Sequence, residues 1–465
     1  MTLLKYGASD NGKNIPRITK VVTQILSLEA WGSLDIYTSS LAPNLTLCLS
    51  PPMSNINILI SGSGIAGSVF AFWLLRAYPN ADITIVERDP SLRLTGASVD
   101  IRSTAVNIIK WMGAEQEIRN QATNEEGIQF MDANGKAAAT LRATGRSDIQ
   151  SITSEFEIFR GVLAKIFMDL ILDRVKLIFD ETIDSFKQLD NGVVVTFAKS
   201  KEVKTYDLLV AADGLSSKIR GMMPNSKPQE HNDGIHVAYF TIKSDLLQDS
   251  RLAKWYNATG GRVVFLRPDP TGRTRANLMN VTTTGDIEMK EQLNKALYEG
   301  NKSYMKLMEE VFRDAGWVTP EVLQSMRESD DFYCSLFRKI RVPKIYDGHV
   351  ALLGDSGYAT PGFGTSLAII GGYVLAGELS NHPSDIKMAL ERYEEIMLPA
   401  IKNSQGVDDA IQLLNPQTQW GIRIRNAILG FVTWTKLDRL AIAIPLALGF
   451  TEKKVFVPDY QWPAK

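Results

Sequence analysis

Residues Ile56-Asn57-Ile58-Leu59-Ile60-Ser61-Gly62-Ser63-Gly64-Ile65-Ala66-Gly67 read as an apolar, β-branched strand that runs directly into a G-x-G-x-x-G turn. In that spacing the first glycine makes the sharp turn, the second lets the backbone approach a pyrophosphate, and the third lets helix and strand pack closely. Ile65, Ala66 and Gly67 then open a helix whose unpaired N–H groups and positive dipole end can receive phosphate. Val69, Phe70, Trp73, Leu74 and Leu75 supply that helix with a broad apolar face. A second buried strand, Asp82-Ile83-Thr84-Ile85-Val86, ends at Glu87, twenty positions past Gly67. A carboxylate there can accept hydrogen bonds from an adenosine ribose. A glycine-rich turn that merely links strand to helix would explain the glycines alone, but not the helix, second strand and Glu87 together.

Two further apolar runs end in the same kind of turn: Leu208-Leu209-Val210 before Asp213-Gly214, and Val350-Ala351-Leu352-Leu353 before Gly354-Asp355. Three such turns in this order outline a pocket for a long dinucleotide on an α/β fold, which points to a flavin. From about residue 236 to 280 the chain alternates apolar and polar side chains, as in Val237-Ala238-Tyr239-Phe240-Thr241-Ile242 and Arg262-Val263-Val264-Phe265-Leu266. That is the period of a half-covered sheet, placed to roof a cavity over the flavin. Tyr239, Phe240, Phe265, Met279 and Phe363 are its candidate walls. Helices are expected at about 288–313 and 320–327.

The expected organisation is therefore a Rossmann-like FAD-binding domain from 53–230 and 346–400, a mixed β-sheet substrate domain over 231–345, and a C-terminal helical region over 401–465. Residues 1–52 are rich in Ser, Thr, Asn and Pro and end at Pro51-Pro52 before Met53. They read as a disordered or non-native extension, since they lack the apolar core of a secretory signal and carry acids among their bases. With 465 residues, 45% of them hydrophobic, the chain can bury a large core. A net charge of −1 offers no surface for nucleic acid. Cys48 and Cys334 cannot form a disulfide framework, and His231, His236, His349 and His382 have no metal-ligand spacing, so a reducing, cytoplasmic setting without metal is expected. The apolar run Leu440–Phe450 contains Pro445 and is shorter than the roughly 20 residues of a spanning helix. It reads as a packed C-terminal element, with no stable membrane insertion.

From about residue 55 to 400 the chain resembles the single-component FAD-dependent aromatic hydroxylases, the group of para-hydroxybenzoate hydroxylase and the tetracycline-inactivating monooxygenases. Gly62-Ser63-Gly64-Ile65-Ala66-Gly67 with Glu87-Arg88 is similar to that family's ADP-binding unit. Asp213-Gly214-Leu215-Ser216-Ser217-Lys218-Ile219-Arg220 fits its D-G-x-x-S-x-x-R motif, Asp355 the ribityl-binding aspartate, and Arg160 the FAD-contacting arginine ahead of the central helix. By the same resemblance Asp100 and Arg102, in Ser98-Val99-Asp100-Ile101-Arg102, pass close to the isoalloxazine, and Arg88 and Arg93 are candidates for nicotinamide-cofactor phosphates. Where the family usually reads G-D-A-A-H and P-x-x-G-x-G, this chain reads Gly354-Asp355-Ser356-Gly357-Tyr358 and Pro361-Gly362-Phe363-Gly364-Thr365. Tyr358 stands in the histidine's place as a candidate near the ring. Gly364 and Thr365 open an apolar helix, Leu367 to Leu379, whose dipole can stabilise negative charge on a reduced flavin.

The resemblance implies reduction of FAD by NADPH or NADH, addition of O2 to give a flavin C4a-hydroperoxide, and transfer of one oxygen to an aromatic or polycyclic small molecule, in secondary metabolism. The cofactor carries that chemistry, so no Ser-His-Asp or Cys-His unit is needed. A monomer or homodimer is compatible with it. Rival readings are an FAD-dependent reductase that does not use O2, a nicotinamide-only dehydrogenase, against which Asp355 and its helix argue, and a flavin halogenase, whose W-x-W-x-I-P stretch is missing.

Overall fold

The computed structural model describes residues 55–94, 96–142, 156–283, 285–404, 414–437 and 455–462, all within one compact unit that begins at Met53. The expected extension 1–52 and the apolar run 440–450 lie outside the described residues.

Five strands run parallel in one sheet, in the order Val350–Leu352, Leu208–Ala211, Asn57–Ser61, Asp82–Val86 and Lys176–Ile178, and Tyr346–Asp347 is added antiparallel at one edge. Four of the five are buried on nearly every residue, as expected where helices cover both faces of a parallel sheet. Helices Ile65–Ala77 and Gly364–Asn381 pack against each other and share this core: Val69, Phe70, Trp73, Ile369, Ile370 and Val374 are all buried. The chain leaves the central Asn57–Ser61 strand on one side to form Asp82–Val86, then returns on the other side to form Leu208–Ala211. Such a reversal opens a crevice at the carboxyl ends of the strands, where all three glycine or aspartate turns fall.

A seven-stranded sheet makes the second layer. Its order is Tyr333–Arg341, Gln229–Ile242, Thr274–Val281, Arg262–Pro268, Leu252–Ala258, Gly127–Met131 and Ala137–Arg142. The last two strands come from the stretch expected to belong to the FAD-binding part: Gly127–Met131 pairs in parallel with Leu252–Ala258, Phe130 opposite Trp255. The single helix expected near 288–313 is two, Ile287–Glu299 and Asn301–Phe312, divided at Gly300, and the next spans Thr319–Arg327. Leu293, Tyr304, Met308 and Phe312 press them onto one face of the large sheet. A short antiparallel pair, Ser98–Asp100 with Glu157–Phe159, lies between the layers. Among the described residues no helix is long and apolar enough to cross a membrane.

Candidate active site

The first turn is shaped by close approach. Gly62 has φ +108°, and a Cβ there would sit 2.4 Å from the Ala212 carbonyl oxygen. A Cβ at Gly67 would lie 2.3 Å from Gly62 O. Strand, helix and the Ala212-Asp213 turn can meet only if both positions lack a side chain. Gly64 caps the helix in extended backbone with no capping side chain, leaving first-turn N–H groups for an anion. Glu87 is drawn onto the same turn: its Oε2 accepts from Ser63 N (3.0 Å) and Ser63 Oγ (2.8 Å), and its Oε1 from Asp89 N (3.1 Å). Sequence reasoning did not single out Ser63, which holds the carboxylate in place.

The second and third motifs are pinned to each other. Ser217 Oγ accepts from Arg220 N at 3.0 Å, starting the short helix Lys218–Met222. Arg220, nearly fully buried, donates to Ser356 O (2.7 Å) and Leu215 O (2.8 Å). Leu353 N donates to Ala211 O across the strand ends (2.9 Å) and to Ser356 Oγ (3.0 Å). Asp213 Oδ2 accepts from Lys218 N at 3.0 Å, while Oδ1 is buried with no partner among the described residues. Burial raises the Asp213 pKa, its hydrogen bonds opposing that rise. A buried acceptor without a donor in the crevice invites a ligand hydroxyl.

Asp355 begins a one-turn helix at Gly354, and a Cβ on Gly354 would lie 2.9 Å from Ala66 Cβ. Glu87 and Asp355 thus flank the same helix N-terminus. Arg160, 195 residues away in sequence, reaches Asp355 Oδ2 at 3.5 Å, joining two of the expected flavin contacts. A Cβ on Gly364 would come within 3.2 Å of Asp355 Oδ1. Arg102 N donates to Ser366 Oγ (2.9 Å), which sets the 98–102 segment beside Gly364 and Thr365, and the Arg102 guanidinium meets Asp100 at 2.7 Å.

Three expected residues sit apart from this group. Tyr358 turns into the core, its hydroxyl 3.0 Å from that of Tyr393, which donates to Leu352 O at 2.9 Å. Tyr393 has one proton, so Tyr358 is the donor of the pair, and burial pushes its pKa up to about 12. The histidine's replacement is a core residue with its hydroxyl already engaged. Arg88 and Arg93 are exposed and flank Asp89 at 4.0 and 3.9 Å.

Between the short β-pair and the large sheet lies a narrow cleft, with about 20 Å³ of free volume, lined by Gly96, Ser98, Phe159, Tyr239, Arg267 and Tyr333, among others. Tyr239 and Tyr333 stack with ring centres 4.7 Å apart and planes 8° from parallel. Phe240 also lines the cleft, whereas Phe265 and Met279 are packed in the large sheet's core and Phe363 against the core of the parallel sheet. No cluster of metal-ligating side chains occurs among the described residues.

A switch-point crevice, a helix N-terminus without a side-chain cap and a carboxylate on each flank are the features of a dinucleotide-binding protein. The family described as FAD binding domain matches residues 55–325. The FAD-dependent monooxygenase asL4 of Sarocladium schorii is 30% identical over 88% of this chain and 99% of its own, and monooxygenase CTB7 of Cercospora beticola 31% over 88% and 98%. Among solved structures, the tetracycline destructase Tet(51) superposes with a TM-score of 0.68 at 26% identity, covering 87% of this chain and all of its own. The chain belongs to the FAD-dependent monooxygenase family and is an oxidoreductase with FAD as its cofactor.

Proposed function

We propose that the protein uses NADPH or NADH and O2 to insert one oxygen atom into an aromatic or polycyclic small molecule, as a tailoring step in secondary metabolism. The observation that carries this reading is the aromatic cleft. Its floor, Gly96 to Ser98, continues into Asp100 and Arg102, the segment expected at the flavin ring, and its wall is the stacked Tyr239 and Tyr333 pair. Aromatic rings set among Ser98, Arg267, Arg275, Asn277 and Asp331 suit a planar ligand that carries polar substituents. Likeness to fungal monooxygenases over nearly their whole lengths supports the same reading.

In this proposal Gly62, Gly64, Ile65, Ala66 and Gly67 receive the pyrophosphate, Glu87 the adenosine ribose, and Asp213, Arg160 and Asp355 the ribityl and phosphate region. Asp100, Arg102, Gly364 and Thr365 border the ring. FAD, when bound, supplies electron storage and activation of O2. The chain orients the planar substrate and keeps water from the reacting centre by covering it with the seven-stranded sheet. Incubation of the FAD-loaded protein with NADPH, 18O2 and a panel of phenolic and polyketide compounds tests this. One 18O atom should enter a product, with O2 and NADPH consumed together; NADPH oxidation with a reduced product and no O2 uptake would make the protein a reductase instead.

A further inference from the structure

Behind the cleft three acids and two arginines meet, Glu125, Glu157 and Arg267 with buried side chains and Asp100 and Arg102 partly buried. Arg267 Nε donates to Glu125 Oε2 at 2.9 Å, and its terminal nitrogens reach Ser98 Oγ and Glu157 Oε1. Ser98 Oγ donates in turn to Glu157 Oε1 at 2.9 Å. Asp100 is the cross-strand partner of Glu157 and holds Arg102. The side chains of Glu125, Glu157 and Arg267 are only 1%, 7% and 11% exposed. Asp100 Oδ1, Glu125 Oε1 and Glu157 Oε2 are each buried with no hydrogen-bond partner among the described residues.

Three carboxylates facing two guanidinium groups leave one negative charge uncompensated away from water. Binding a proton relieves that more readily than burying the charge. Burial pushes Glu125 up to about 7, Arg267 opposing and Glu157 and Asp100 adding to the rise; burial also raises Asp100, with Glu157 adding to it and Arg102 and Arg267 opposing. Ser98 and Arg267 belong both to this cluster and to the cleft wall.

We propose that Asp100, Glu125 and Glu157, with Arg102 and Arg267, form a site that holds one proton in the resting protein and exchanges protons with a hydroxylated ligand in the cleft through Ser98 Oγ. Only the ligand step rests on the reading of the cleft as a substrate site. In that step the ligand O–H bond breaks, its proton joins Ser98 Oγ, and the proton of Ser98 passes to Glu157 Oε1. The ligand keeps the electron pair as an oxyanion, and the cluster gains one positive charge, facing the oxyanion through Arg267. Such a site selects acidic hydroxyl compounds, phenols or enols, and raises the electron density of the carbon to be oxygenated.

Infrared spectroscopy of the FAD-loaded full-length protein, without ligand, tests the site. At about pH 6, below the Glu125 midpoint near 7, a protonated carboxyl stretch should appear, shift on 13C-glutamate labelling and fade as pH rises through about 7. Glu125→Gln should abolish it, because two remaining acids balance two arginines. Ser98→Ala should keep the band but slow its exchange into D2O about tenfold or more, as loss of a positioned proton carrier would. No glutamate-derived band in the wild type overturns the proposal; so does a band indifferent to Glu125→Gln. If Glu125→Gln does not fold, the isotope shift and pH dependence of the wild type decide. Unchanged exchange in Ser98→Ala overturns the route. Inert phenols in the 18O2 experiment would instead count against the proposed function and leave the band as expected.

Discussion

Gly64→Ala should separate what the fold requires from what the cofactor requires. A Cβ at Gly64 meets nothing within 4 Å, and its φ of −75° is open to any residue, whereas a Cβ at Gly67 would press on Gly62 O at 2.3 Å and on Ile60 Cγ2 at 3.1 Å. Gly67→Ala must therefore move helix against strand, an overpacking cost of about 1–3 kcal/mol. Gly64→Ala loses only an N-cap preference, below about 1 kcal/mol. Its added methyl points into the space a pyrophosphate would occupy, lengthening at least one N–H bond to a charged oxygen. Such a bond is worth about 1.5–3 kcal/mol, so FAD affinity should fall about 10- to 100-fold. Flavin-fluorescence titration of the apoprotein measures the affinity, and thermal unfolding of the same apoprotein measures the fold. Wild-type affinity in Gly64→Ala, or apoprotein destabilisation equal to that of Gly67→Ala, would refute the assignment of this turn to the pyrophosphate.

Arg220→Lys cannot reach both Leu215 O and Ser356 O, so a buried carbonyl loses its donor and stability should drop by about 1–3 kcal/mol, read by urea unfolding; an unchanged midpoint would contradict the pinning of the two turns. Tyr358→Phe removes only the bond to Tyr393; stability should fall by about 1 kcal/mol while flavin content and NADPH oxidation stay at wild-type levels, and a loss of turnover would return Tyr358 to the ring. Glu125 titrates near 7 when folded against an ordinary 4.5, so between those values the native state binds more protons and this group's contribution to stability falls as pH rises; Glu125→Gln should flatten that part of the stability profile measured from pH 4.5 to pH 7. Glu181 is the opposite case: burial raises it, but N–H bonds from Lys199, Ser200 and Thr182 outweigh burial and hold it at about 2. Its contribution is present above the ordinary carboxylate range and lost as pH falls toward 2, so Glu181→Gln should destabilise the protein at neutral pH and reduce its acid sensitivity.

Local features were legible where one short segment carries both cause and effect. The first strand, turn and helix follow from β-branched residues, three glycines and an apolar face, and the Asp82–Val86 strand has the bounds its residues suggest. Pairing over distance was not. Gly127–Met131 resembles any short buried strand, and its partner Leu252–Ala258 lies more than a hundred residues on, so nothing local reveals that it joins the larger sheet. Glu125, Glu157 and Arg267 are invisible for the same reason: charged residues are solvated by default, and only the fold shows that three distant segments bury them together. The place of Tyr358 in the motif suggested the ring, but packing of its hydroxyl against Tyr393 and its ring against Gly371 decided the core.

One short β-pair accounts for much of the site's economy of parts. Arg160 N bonds to Ala97 O at 3.0 Å, Ile101 N to Phe156 O at 3.1 Å and Thr123 N to Glu157 O at 2.9 Å. These bonds fasten the two strands to each other and to the segment that leads into the large sheet. From this pair Arg160 reaches Asp355, Asp100 and Arg102 meet the start of the Gly364 helix, Ser98 and Phe159 line the cleft, and Glu157 enters the buried proton cluster. Because these hydrogen bonds hold the two strands in one register, a single short element positions side chains at the cofactor crevice, at the cleft and in the acid cluster.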